Sequence, residues 1–327
     1  MNLRVAISVV VASAAVSLSE SSDVARGRVR ESNDLHLASP EVFAPNTVST
    51  PDNELNSAFT SDGRTLYFTR KAGADGKLGV ILVSRMRRDG QWGTPEVASF
   101  SGRYPDYDPF VSPDGSRLFF ISNRPTSGRG PTRDFNIWYV ERSGSGWTEA
   151  RNLGSPVNGD GDELYPSVSL DGTLYFSSCG RADSRGRCDL YRSRYRDGKY
   201  LEPETLGDSI NTPASETDVF VAPDQSYVVF AAYGRPDAVG DGDLYVSFNR
   251  DGVWSKARAL GPEINTVARE YCPIVSPDGK YLYFTSQRGF SDALQQRALT
   301  YPELRDSLRS VRNGFGNIYR VQIGALK

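Results

Sequence analysis

The stretch "FVSPDGSRLFFISNR", residues 110–124, places a turn between two apolar runs. Pro113 presets the backbone dihedral of the second turn position, Asp114 suits the third, and Gly115 supplies the conformational freedom needed to leave the turn. The residues that follow, "RLFFIS", are rich in the apolar and aromatic types that favour strands. The stretch therefore predicts a β-hairpin with the Ser-Pro-Asp-Gly turn at its tip.

The same phrase occurs five times along the chain. The other copies read "FTSDGRTLYFTRK", "SVSLDGTLYFSSCGR", "FVAPDQSYVVFAAYGR" and "IVSPDGKYLYFTSQR". Their turn aspartates are Asp62, Asp114, Asp171, Asp224 and Asp278, with steps of 52, 57, 53 and 54 residues. A period near 50 residues indicates stacked or circular repeats.

Each repeat contains more than the hairpin. A third strand-like segment follows a variable loop, as in "NIWYVER" and "DLYVSFN", and a fourth segment begins with an aromatic residue, as in "WTEARNL". Four short antiparallel strands per unit, repeated around a ring, make the blades of a β-propeller. The sequence therefore predicts an all-β fold, a five-bladed β-propeller.

The two ends of the chain predict how the ring closes. The fifth repeat ends after its third segment, at "NIYRVQIGALK", whereas "LASPEVF" at residues 37–43 matches the fourth segment "WGTPEVA" at residues 92–98. The N-terminal strand is therefore predicted to complete the last blade, which removes two open sheet edges. The propeller is predicted to span residues 37–327, after a polar leader at residues 19–36.

The first residues, "MNLRVAISVVVASAAVSLSESS", have the order of a secretory signal peptide, predicted at residues 1–18. Their apolar run is short for a membrane span, although a retained anchor is the alternative. A formal net charge of −2 gives no indication of nucleic-acid binding. We expect an exported protein, periplasmic or secreted, monomeric and without a membrane span.

The repeated phrase Ser-Pro-Asp-Gly-x-x-Leu-Tyr-Phe, followed by Asp-Ile-Tyr-like strands, resembles the TolB-type propeller repeat, a Pro-Asp relative of the WD repeat. The resemblance covers residues 37–327 and implies a periplasmic or exported propeller. TolB itself is a binding partner in an envelope-spanning complex. It has an α/β domain before a six-bladed propeller, and this chain departs from it in both respects.

Charged residues recur at one end of every predicted hairpin. An acid stands eight residues before each turn aspartate, and an arginine stands eight to eleven residues after it. The acids are Glu54, Asp106, Glu163, Glu216 and Glu270, and the arginines are Arg70, Arg124, Arg181, Arg235 and Arg288. They are candidate binding residues for a cation or a basic partner on this top face, or else a structural ion-pair network repeated with the blade.

The three cysteines differ in their predicted roles. Cys179 and Cys188 flank one short loop, and an exported protein meets an oxidising compartment, so we expect them to form a disulfide. Cys272 falls in an innermost strand and is predicted to be an unpaired, buried thiol.

An insertion at residues 289–316 interrupts the fifth repeat. Leu304, Leu308 and Val311 recur at helical spacing, Pro302 suits a first helical turn, and Asn313 begins a stop signal. These residues predict a short amphipathic helix on the top face, which either covers exposed core or binds a partner. The opposite face is predicted to have only tight turns and little variable surface.

Metal and cofactor signals are few. Asn158, Asp160 and Asp162 are spaced like the start of a calcium loop, but no later bidentate glutamate follows at the required position. Calcium is therefore left open, and no other cofactor or metal is expected.

The absence of most catalytic residue types narrows the function. The only histidine, His36, lies in the leader, which is a poor place for a Ser-His-Asp triad. Glycosidases need only two carboxylates, and some five-bladed propellers are glycosidases. We expect a non-catalytic propeller that binds a protein, peptide or glycan of the cell envelope through its top face; the alternative is a glycosidase that uses channel carboxylates.

Overall fold

Each repeat folds into one antiparallel sheet, and the five sheets form a five-bladed β-propeller, as predicted. The computed structural model describes residues 38–73, 76–126, 133–290 and 297–324. The predicted signal peptide and leader, with His36, lie outside these ranges. The five innermost strands contact one another in a closed ring.

The chain begins with β1 (Glu41–Val42) and then builds the first three blades. The first blade contains β2 (Asn53–Phe59), β3 (Thr65–Ala72), β4 (Leu78–Arg85) and β5 (Glu96–Val97). The second contains β6 (Asp106–Val111), β7 (Arg117–Ser122), β8 (Asn136–Ser143), β9 (Gly146–Trp147) and β10 (Arg151–Asn152). The third contains β11 (Glu163–Val168), β12 (Leu174–Cys179), β13 (Cys188–Ser193) and β16 (Glu204–Thr205), with a separate hairpin of β14 (Tyr195–Arg196) and β15 (Lys199–Tyr200).

The last two blades follow the same order. The fourth contains β17 (Ser215–Val221), β18 (Tyr227–Tyr233), β19 (Asp243–Arg250), β20 (Val253–Trp254) and β21 (Arg258–Ala259). The fifth contains β22 (Glu270–Val275), β23 (Tyr281–Ser286) and β24 (Asn317–Gln322), and the helix α1 (Tyr301–Leu308) precedes β24.

The N-terminal strand closes the ring as the sequence predicts. β1 pairs antiparallel with β24, with Glu41 opposite Arg320 and Val42 opposite Tyr319. The guanidinium of Arg320 lies 2.7 Å from the carboxylate of Glu41. The fifth blade therefore has four strands, in the order β1-β24-β23-β22.

The repeated residues build the turns and the core. In the second blade, the Oδ1 atom of Asp114 accepts hydrogen bonds from the hydroxyl of Ser112 (2.6 Å) and the amide of Ser116 (3.0 Å), which fixes the turn. One phenylalanine on the second strand of every blade has no exposed surface. These residues are Phe68, Phe120, Phe176, Phe230 and Phe284.

The insertion forms the predicted helix. The helix ends at Leu308 and so does not reach Val311, the last residue of the predicted apolar spacing. Helix α1 begins after Thr300, whose hydroxyl and backbone make a reciprocal capping box with Glu303, and Pro302 lies in the first turn. The helix buries none of its residues. Residues 291–296 of the insertion lie outside the described part. Among the described residues, no helix is long and apolar enough to cross a membrane.

Candidate functional site

The predicted charged residues meet as five ion pairs, one at the same end of each blade, which we call the ion-pair face. Every acid is fully buried, with at most 1% of its side chain exposed. The nitrogen–oxygen distances are 2.9 Å for Glu54–Arg70, 2.6 Å for Asp106–Arg124, 3.7 Å for Glu163–Arg181, 2.9 Å for Glu216–Arg235 and 3.3 Å for Glu270–Arg288.

The fourth blade shows how such a pair holds the structure. Glu216 accepts hydrogen bonds from the backbone amide (3.0 Å) and the hydroxyl (2.6 Å) of Thr212, in the loop that enters the blade. Arg235 donates to the same carboxylate and to the carbonyl of Ile210, and its guanidinium lies 5.2 Å from the ring centre of Phe230. Each pair therefore clamps an incoming loop onto its blade, which favours the structural interpretation. A binding role for these ten residues stays a prediction.

The calcium-like residues also serve the local backbone. Asn158 accepts a hydrogen bond from the amide of Ile137 (2.9 Å), and Asp162 accepts one from the amide of Phe135 (2.8 Å). Among the described residues, no group of three or more histidine, cysteine, aspartate or glutamate side chains is arranged to hold a metal ion.

The cysteines take the predicted arrangement. Cys179 and Cys188 lie opposite each other at the loop end of the β12–β13 hairpin and form a disulfide. Cys272 is a free, buried thiol on the innermost strand of the fifth blade.

A β-bulge interrupts each innermost strand at the same position, six residues before the turn aspartate. The bulged residue has a left-handed backbone, with φ between 51° and 56°, which is uncommon outside glycine. These five residues, which we call the bulge ring, are Asn56, Asp108, Tyr165, Asp218 and Cys272. The backbone geometry is repeated, but the residue type is not, so the bulge ring breaks the symmetry of the propeller.

Side chains of the bulge ring contact one another across the blades. Asp108 accepts a hydrogen bond from the amide of Tyr165 (3.1 Å), and Asp218 accepts one from the amide of Cys272 (3.2 Å). The Nδ2 atom of Asn56 lies 3.1 Å from the sulfur of Cys272, whereas its buried Oδ1 atom has no hydrogen-bond partner among the described residues. This amide oxygen is buried together with the rest of Asn56, of which 1% is exposed.

Tyr165 closes the channel on the side of the turns. Its hydroxyl donates to the carbonyl of Pro273 (3.0 Å), so the side chain crosses from the third blade to the fifth. Because only 6% of Tyr165 is exposed, it forms a floor beneath the polar side chains.

The two carboxyls of the bulge ring hold their protons unusually strongly. Burial, followed by repulsion from Asp218, raises the pKa of Asp108 to about 7. Burial raises the pKa of Asp218 to about 6, although the amide of Cys272 opposes the shift. Both side chains remain partly exposed to solvent. Neither makes a salt bridge within the described ranges, so they differ from the five clamped acids.

Four further side chains surround the bulge ring towards the ion-pair face. They are Lys71, Tyr233, Arg269 and Tyr271, and each interacts electrostatically with at least one member of the bulge ring. We call the bulge ring together with these four residues the central cup. Asp108, Asp218, Lys71, Tyr233 and Arg269 of this set are partly exposed, whereas its other residues are buried.

The face opposite the ion-pair face carries the repeated turns, and we call it the turn face. It contains a groove and a cavity that the sequence did not predict. A groove of about 580 Å³ lies between the second and third blades, where the β14–β15 hairpin adds Tyr195 and Tyr200 to its wall. A smaller apolar cavity of about 260 Å³ occupies the middle of this face and is lined by Phe59, Phe110 and other residues of the inner strands. The β14–β15 hairpin has counterparts in β8–β9 and β19–β20, so the expectation of little variable surface on this face stays a prediction.

Sequence reasoning missed four of the five members of the bulge ring and recovered only Cys272 as a buried thiol. The available signal was positional: the residue six places before the turn aspartate differs in chemistry in every copy, apart from the two aspartates, whereas the residue two places earlier is always an acid. The five acids of the ion pairs were predicted as binding residues because they recur. A residue that recurs in every blade is, however, what a repeated scaffold requires.

No protein-family model matches the chain, and no curated protein matches it. Solved structures match over most of their length. A "Glycoside hydrolase" is 12% identical, with a TM-score of 0.53, and the match covers 90% of this chain and 94% of that protein. An α-L-arabinofuranosidase from Lactobacillus brevis is 15% identical, with a TM-score of 0.50 and coverage of 85% and 92%. "The structure of putative TolB from Agrobacterium tumefaciens" is 16% identical, with a TM-score of 0.47 and coverage of 84% and 92%. At these identities the comparisons show the fold alone, a β-propeller.

Proposed function

We propose that this protein is an exported binding propeller that holds a hydroxyl-rich ligand, a short glycan of the cell envelope, in its central cup. The observation that carries the proposal is the break in symmetry at the bulge ring. A repeated scaffold needs the same residue at the same place, whereas a binding site needs different groups that converge. The bulge ring places four residue types from five blades at equivalent positions, and its two aspartates are the members that remain partly exposed.

The chemistry of the central cup suits a sugar better than a peptide. Each sugar hydroxyl both donates and accepts hydrogen bonds, and the partly exposed carboxyls of Asp108 and Asp218 offer matching partners. The partly exposed ring of Tyr233, against which Arg269 lies, offers apolar surface beside these polar groups, as glycan sites commonly require. The groups are too central and too enclosed for the flat surface of a folded partner.

Two features support export. The disulfide between Cys179 and Cys188 is of the kind that persists in oxidising compartments, and the N-terminal sequence has the order of a signal peptide.

The test is a screen of the mature protein on an array of bacterial and plant oligosaccharides, followed by calorimetry on the best glycan. Asp218→Asn keeps the shape and the acceptor for the amide of Cys272 but changes the charge and one hydrogen-bonding group. We expect it to weaken binding about tenfold or more, because a buried charged hydrogen bond contributes about 2 kcal/mol. The matched control is Asp224→Asn, in the turn of the same blade, which should bind like the wild type. Equal binding by Asp218→Asn and the wild type would contradict the proposal.

Hydrolysis of the bound glycan is a second candidate, favoured by the two unpaired carboxyls. With pKa values of about 7 and about 6, Asp108 and Asp218 are partly protonated near neutral pH, when one can act as acid and the other as base. Incubation of the bound oligosaccharide with wild type and Asp108→Asn distinguishes the two functions. A hydrolase releases shorter products that disappear in the variant, whereas a binding protein leaves the glycan intact.

A further inference from the structure

Arg269 is a firmly positioned cation without a carboxylate partner. Its guanidinium lies 5.5 Å from the ring centre of Tyr233. Its side chain packs against Gly242, where an added Cβ atom would lie 2.5 Å from the Tyr233 ring and 3.1 Å from Cγ of Arg269. The glycine therefore makes the room in which the arginine and the tyrosine stack.

The five clamp arginines make the contrast clear. Each of those lies within 4 Å of its own buried carboxylate, as Arg235 does with Glu216 at 2.9 Å. Arg269 makes no salt bridge with any residue that the structure describes, and its buried Nε atom lacks a hydrogen-bond partner there. A buried donor without a partner is costly, and sites that bind a ligand commonly accept that cost.

Lys71 is a second cation. It belongs to the first blade, which adjoins the fifth blade that Arg269 precedes. It stands near the end of β3 and makes no ion pair within the described ranges. Its charge is close enough to lower the pKa of both Asp108 and Cys272, against the larger effect of burial. Arg269 acts in the same way on Asp218. The two cations thus stand at the ion-pair end of different blades, Lys71 near the end of β3 and Arg269 directly before β22.

We propose that the ligand of the central cup is acidic, a sugar that carries a carboxylate such as a uronic acid, and that Arg269 binds this carboxylate while Lys71 adds positive charge at the same end of the ring. The inference rests on the proposed glycan function and names its ligand class. A planar guanidinium matches a carboxylate with two parallel hydrogen bonds, and an ammonium adds a compact charge. Asp108 and Asp218 then remain for the sugar hydroxyls.

The alternative role for Arg269 is to favour the charged form of Asp218 without contacting a ligand. The two roles differ in what they predict for a neutral sugar. A residue that binds the ligand carboxylate affects acidic sugars selectively, whereas one that only adjusts Asp218 affects acidic and neutral sugars alike.

The experiment compares oligosaccharides of galacturonic acid and of glucuronic acid with their methyl esters, which keep the sugar and remove the charge. Calorimetry at pH 7 is run on the wild type, on Arg269→Gln and on Arg250→Gln, an exposed arginine at the end of β19 that serves as the control. We expect an acid to bind at least about tenfold more tightly than its ester, and Arg269→Gln, but not Arg250→Gln, to abolish the difference.

Each other outcome overturns a defined part of the account. Equal affinity for acid and ester contradicts the acidic ligand and leaves the glycan function standing. A preference for the acid that survives Arg269→Gln contradicts the role of Arg269. No binding of either form, together with no binding of any neutral glycan on the array, contradicts the proposed function as well.

Discussion

Replacing Asp108 by asparagine should stabilise the protein, and increasingly so as the pH rises. The pKa of Asp108 in the folded protein, about 7, lies above its ordinary value of 3.8. The folded state therefore binds a proton that the unfolded state has already lost between these values, and stability falls as the pH rises through this window. Asparagine has no charge at any pH, and its carbonyl can still accept the hydrogen bond from the amide of Tyr165.

The magnitude follows from the displacement of the pKa. At about 1.4 kcal/mol per pKa unit, the raised pKa of Asp108 costs the folded state about 4 kcal/mol at pH 8 but less than about 1 kcal/mol at pH 4. Thermal unfolding of the wild type and of Asp108→Asn is measured at both pH values. The stability gained by the variant at pH 8 is compared with the gain at pH 4, so any pH-independent effect of the substitution cancels. For a domain of this size, we expect the midpoint of Asp108→Asn to exceed that of the wild type by about 8 °C at pH 8.

Asp114→Asn, in the turn of the same blade, is the control with the opposite sign. Burial raises the pKa of Asp114, but hydrogen bonds from Ser112 and Ser116 outweigh burial and leave this pKa below its ordinary value. That carboxylate stabilises the fold above its ordinary pKa, so its replacement should destabilise the protein at pH 8 and have little effect at acidic pH. If Asp108→Asn also proved less stable than the wild type at pH 8, the strained, proton-holding carboxyl described above would be refuted.

Three further predictions concern the scaffold. Deletion of residues 38–43 should expose the edge of the fifth blade and cause aggregation on size-exclusion chromatography; a soluble, cooperatively folding product would contradict closure by this strand. Replacing both Cys179 and Cys188 by serine should lower the free energy of unfolding in urea by about 2.7 kcal/mol, from the entropy of a loop of about ten residues, and an unchanged midpoint would count against the bond. Glu216→Ala leaves the guanidinium of Arg235 buried without its carboxylate and should cost about 3 kcal/mol; a loss below about 1 kcal/mol in the same titration would mean that the clamp is dispensable.

The sequence predicted the parts of the fold that repeat. The turn of Ser112 to Gly115 has a local mechanism, so its five copies located the hairpins and then the blades. The match between residues 37–43 and 92–98 located the closing strand, and the short loop between Cys179 and Cys188 located the disulfide. In each case a short stretch of consecutive residues carries the pattern that predicts the structural feature.

The central cup could not be found in that way. The bulge is a backbone feature, and residue types such as Tyr165 and Cys272 give no sign of a left-handed conformation. Its members are separated by whole repeats, and they meet only because the ring closes. The pKa of Asp108 depends on repulsion from Asp218, two blades away, which no local pattern records.

The most direct test of the central claim asks which part of the ion-pair face binds. The labelled oligosaccharide that binds best on the array is titrated into the wild type, into Asp218→Asn, and into a double variant, Leu304→Asp with Leu308→Asp, that changes the exposed surface of α1. If the central cup is the site, Asp218→Asn loses at least about tenfold in affinity, and the helix variant binds like the wild type. Full binding by Asp218→Asn together with loss of binding in the helix variant would contradict the account and assign the function to the inserted helix.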